Sequence, residues 1–140
     1  MSHLPKLTTQ ETELLRKISL VRQLPLVRLE LRSSKEKSLI STALNHVLLK
    51  NADDTMEEIK NRSQLLTRLA EQKLITLDYN LAVTVKSDYE LYYNSGVYSS
   101  LCQLVEDGKE RPGFLFDTPY IKKGRAVITP FGKRCLWGHC

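Results

Sequence analysis

No apolar run in the 140 residues approaches the roughly 18 needed to span a bilayer, so no membrane-crossing helix is expected. The opening Met1-Ser2-His3-Leu4-Pro5-Lys6 lacks the apolar core of a secretory signal. Cysteine is sparse and odd in number (Cys102, Cys135 and Cys140), which does not suit a disulfide framework. A reducing cytoplasm with ordinary thiols is therefore expected. Glycine is sparse too, and there is neither a glycine-rich phosphate loop nor a nucleophile elbow. His3, His46 and His139 are scattered along the chain. Asp53-Asp54 and Glu57-Glu58 are paired acids, but acids in a first helical turn simply favour its positive end. Cys135, His139 and Cys140 offer at most three zinc ligands, with no second pair nearby. With Cys140 as the last residue given, no prenylation signal is expected. No enzyme, cofactor or metal site is expected.

What is present is a 41% apolar content, enough for one ordinary core and one domain over residues 1–140. The net charge of +5 is uneven. Residues 1–53 carry nine basic and five acidic side chains, and residues 111–140 six and one. Between them, residues 54–80 carry four and five, and residues 81–110 two and five. Basic ends around an acidic middle would make a polyanion-facing surface if the ends meet in space, and would otherwise only keep the protein soluble.

Thr8-Thr9-Gln10-Glu11 fits a capping box, followed by Leu14, Leu15, Ile18 and Val21 on one helical face, with Pro25 ending the pattern. Val27, Leu29 and Leu31 then alternate with Arg28, Glu30 and Arg32, as in a short strand or an extension of the first helix. Ser33-Ser34-Lys35-Glu36 is a second capping-box match. Leu39, Ile40, Ala43, Leu44, Val47 and Leu48 after it predict a second helix, stopped at Asn51. Asp54-Thr55-Met56-Glu57 starts a third, with Met56, Ile59, Leu65, Leu66, Leu69 and Ala70 inward.

From Ile75 the period switches to two and lasts through Lys86. A single strand of that length would reach about 40 Å, so a reversal near Asp78-Tyr79-Asn80 is expected. Asp88 then opens a tyrosine-rich helix over 88–107. Phe114, Phe116 and Tyr120-Ile121 predict a strand. Lys122-Lys123-Gly124-Arg125 reads as a basic turn, and Ala126–Thr129 as the returning strand.

Leu66, Leu69, Leu74 and Ile75, together with Ile128-Thr129-Pro130-Phe131-Gly132, resemble the winged helix-turn-helix proteins, most of which bind DNA. The resemblance covers residues 34–86 and 114–134, and Lys73 stands where that superfamily usually has glycine. It implies an α+β, winged helix-like fold: three N-terminal helices plus a small antiparallel hairpin sheet and one inserted helix. It also implies a DNA-binding transcriptional regulator acting on double-stranded DNA.

On the third helix, Asn61, Gln64, Arg68 and Gln72 share one face. Their donors and acceptors suit base edges in the major groove, although a solvated helix face would look the same. Lys60, Lys122, Lys123 and Arg125 are the phosphate-binding candidates. Tyr89, Tyr92 and Tyr93 would pack on the chain's own sheet or form an interface, either in a homodimer or in a protein-interaction module that does not touch nucleic acid.

Overall fold

The computed structural model describes residues 6–137. The first helix, α1 (Thr9–Val21), starts as its sequence predicts. The Thr8 hydroxyl accepts from the Glu11 amide at 3.1 Å, and the Glu11 carboxylate accepts from the Thr8 amide at 3.3 Å. Next come β1 (Leu24–Arg32) and β2 (Ile40–Val47), the long helix α2 (Met56–Glu71) and the short strand β3 (Ile75–Asp78). A 3-10 turn (Lys86–Asp88) leads into α3 (Glu90–Tyr93) and α4 (Gly96–Gly108); β4 (Thr118–Ile128) and α5 (Pro130–Leu136) close the described chain.

The strands form one antiparallel sheet in the order β2-β1-β4-β3. Because side chains alternate across a strand, β1 serves two cores. Leu24 and Leu26 point to one face, where Leu15 and Ile18 of α1 and Leu66 and Leu69 of α2 bury them along with Ala126 and Ile128. Val27 and Leu29 point to the other, against Ile121 and against Tyr89, Tyr92, Val97 and Leu101 of the α3–α4 region.

This architecture overturns the winged helix-like expectation of three N-terminal helices and a hairpin sheet. The predicted second helix is the strand β2, which pairs with β1 from Val27↔Val47 to Arg32↔Ile40. The Ser33 hydroxyl does accept from the Lys35 and Glu36 amides, both at 3.2 Å, but that cap closes a turn and no helix follows. The third helix runs unbroken from its Thr55 cap, so no helix-turn-helix forms within it.

The supposed basic turn is also absent. Lys122, Lys123, Gly124 and Arg125 lie inside β4, opposite Arg28, Val27, Leu26 and Pro25. Gly124 has no positive φ. It is glycine because the ring of Tyr79 lies against it: a Cβ there would sit 2.6 Å from Tyr79 Cδ1. β3 ends at Asp78, where the Asn80 amide donates to the Asp78 carboxylate at 2.8 Å, and among the described residues no returning strand follows before the 3-10 turn.

Candidate functional site

The α1, α2 and α5 layer covers only part of its sheet face. Along β1, Leu24 and Leu26 are buried, whereas Arg28 and Arg32 on the same face are partly exposed. Their neighbours on β4 are Lys122, opposite Arg28, and Thr118, opposite Arg32, with Tyr120 between them opposite Glu30. Two cations thus face each other directly across a ladder, an arrangement that costs stability unless something offsets the repulsion.

Three local features organise this tract. Arg28 donates through Nε to Asn45 Oδ1 at 2.9 Å, and its guanidinium lies 4.2 Å from the centre of the Tyr79 ring. Arg32 lies 3.5 Å over the Tyr120 ring and donates through Nη2 to Glu30 Oε1 at 2.6 Å. Glu30 is buried beneath the arginines, with Arg28 Nη1 3.9 Å from its other oxygen. One carboxylate therefore serves both guanidinium groups. Among the described residues Lys122 makes no ion pair, so Arg28, Arg32, Lys122 and Glu30 together leave a net positive charge on the face. Tyr120 is 37% exposed, the most open aromatic in the tract.

At its lower border, His46 Nδ1 and the Tyr79 hydroxyl share a hydrogen bond of 2.8 Å, and the two rings stack with centres 5.7 Å apart. Partial burial, and then the charge of Arg28, lower the His46 pKa below its ordinary value, which favours the neutral ring.

The sequence-derived candidates are divided by the fold. Asn61, Gln64 and Arg68 are exposed along α2, as is Lys60, and Gln72 is partly exposed at its end. Lys122 faces the helix-layer side of the sheet, while Lys123 and Arg125 face the other, so these cations do not form one ledge. Arg125 is held by Gln23 Oε1 and the Val83 carbonyl, both at 2.7 Å. Tyr89 and Tyr92 are buried, their hydroxyls donating to the carbonyls of Gly124 at 2.8 Å and Pro25 at 2.9 Å. Only Tyr93 of the three is exposed.

Sequence reasoning missed Arg28, Arg32, Tyr79 and Tyr120 as a group. The available signal was the charge alternation Arg28-Glu30-Arg32, which marks the polar face of a strand. Among the described residues no helix is long and apolar enough to cross a membrane, and no cluster of three or more His, Cys, Asp or Glu could hold a metal. Cys135 is disulfide-bonded, contrary to the expectation of ordinary thiols; His3, His139 and Cys140 lie outside the described residues. Compared with known proteins, the chain matches no family model, no curated protein and no solved structure.

Proposed function

We propose that this protein binds nucleic acid through the open half of its sheet, with single strands preferred to duplex. The observation that carries the reading is the direct Arg28–Lys122 pairing beside Arg32 and Tyr120, with Glu30 as the counter-carboxylate. A phosphate backbone lying across the strands would offset the repulsion of the paired cations. An exposed tyrosine among cations is the kind of platform on which unstacked bases lie. The exposed row Asn61, Gln64 and Arg68 on α2 is the less favoured surface, because Glu57, Glu58 and Glu71 are exposed on the same helix.

The test is fluorescence anisotropy with a labelled single-stranded oligonucleotide and the matching duplex. Lys122→Glu is expected to weaken single-strand binding at least tenfold, while Lys133→Glu on α5 changes it little. Equal binding by the Lys122→Glu protein would refute the reading.

A further inference from the structure

β4 is long, but β3 covers only part of its outer edge, pairing from Arg125 to Ile128. Beyond that point a cleft of about 340 Å³ opens between Pro119–Lys123 and the segment that follows β3. Its wall includes Tyr93, Tyr98 and Tyr120, its cations are Lys122 and Lys123, and no carboxylate lines it. Tyr93 and Tyr98 meet edge to face with ring centres 5.6 Å apart. The Lys123 ammonium lies 5.9 Å from the Tyr93 ring centre and 5.5 Å from that of Tyr89, at the aromatic wall. The volume falls within the range of small-molecule sites.

Aromatic walls with two cations and no acid suit a ligand that is planar and aromatic at one end and anionic at the other. We infer that this edge cleft is a nucleotide pocket, taking one unstacked base among Tyr93, Tyr98 and Tyr120 and its phosphate on Lys123, the cation beside Tyr93. The inference rests on the nucleic-acid reading of the sheet face: Tyr120 and Lys122 belong to both, so a strand crossing the sheet runs into the cleft. Contacts to a base and to a phosphate are separable, which makes the pocket testable without knowing the natural strand.

The experiment titrates the full chain with uridine 5′-monophosphate, uridine and inorganic phosphate separately, read by NMR shifts of the tyrosine ring signals, alongside anisotropy with the single-stranded oligonucleotide. The monophosphate is expected to shift Tyr93 and Tyr98 and to bind better than uridine or phosphate alone. Tyr93→Ala, at an exposed position, is expected to weaken it roughly tenfold. Lys123→Gln is expected to reduce monophosphate binding toward that of uridine, with the folded amide spectrum retained in both variants. An oligonucleotide that binds while the monophosphate leaves the tyrosines unmoved overturns the pocket and spares the sheet-face reading. A monophosphate that binds and depends on Tyr93, with no oligonucleotide binding, keeps the pocket and overturns the strand reading.

Discussion

The hydroxyl of Thr129 donates to the carbonyl of Lys73 at 2.8 Å, tying the end of α2 to the start of α5. The same hydroxyl accepts from the Gly132 amide at 2.9 Å as the cap of α5. The Thr129 amide donates to the Leu74 carbonyl at 3.0 Å. Helix exit and helix entry therefore share one polar knot, closely packed at Gly132, where a Cβ would lie 2.1 Å from the Leu74 carbonyl oxygen. Gly132→Ala is expected to lower stability by about 2 kcal/mol in denaturant unfolding, since backbone must move to admit the methyl group.

Lys73 leaves α2 with φ 63°, and the Leu74 amide bonds back to the Leu69 carbonyl at 3.0 Å, a Schellman ending. A non-glycine residue there carries a cost of roughly 1–2 kcal/mol. Lys73→Gly is expected to raise the unfolding free energy by about 1 kcal/mol, part of the gain being offset by glycine's greater freedom in the unfolded chain. A loss of stability would show that the lysine makes a compensating contact.

His46 gives a pH dependence of definite sign. Its folded pKa lies below 6.5, so the unfolded chain binds the proton more tightly. Its contribution is complete above about 6.5 and is lost as pH falls through the lower folded value, with stability rising with pH across that window. His46→Asn, whose side chain tolerates the φ of 47° found there, is expected to flatten the pH dependence of unfolding free energy below about 6.5. An unchanged slope would contradict the assignment.

Arg62 secures the entry to α2. Its Nη1 donates to Asp54 Oδ2 at 2.6 Å and to the Leu48 carbonyl at 2.9 Å, with the Asp54 side chain only 2% exposed. Arg62→Met would strand a buried carboxylate and is expected to cost about 3 kcal/mol. Adding Asp54→Asn should recover part of that loss, because the two residues are coupled. Strict additivity in this double-mutant cycle would rule the coupling out.

The parts of the fold legible in sequence were those set by local chemistry: the Thr8 cap, the alternation of β1, and the start of the third helix at Thr55. β2 was misread because its pairing with β1 shifts register between Val27 and Leu29 and again between Leu29 and Glu30. With that irregularity Leu44 and Val47 reach the same core at a spacing of three, which imitates a helix. The Lys122–Arg125 segment was misread because a glycine among cations is typical of a turn, whereas here it admits the ring of Tyr79, whose approach is a tertiary fact. The site shared that fate, since Arg28 and Lys122 lie far apart in sequence and meet only through the β1–β4 register.

Backbone amide shift mapping on the full chain, titrated with a single-stranded oligonucleotide, locates where a nucleic-acid strand lies on the sheet. The largest shifts are expected at Arg28–Arg32 of β1 and Tyr120–Lys122 of β4, declining as salt is raised. Shifts confined to Asn61–Arg68 of α2, or none at low salt, would contradict binding on the sheet.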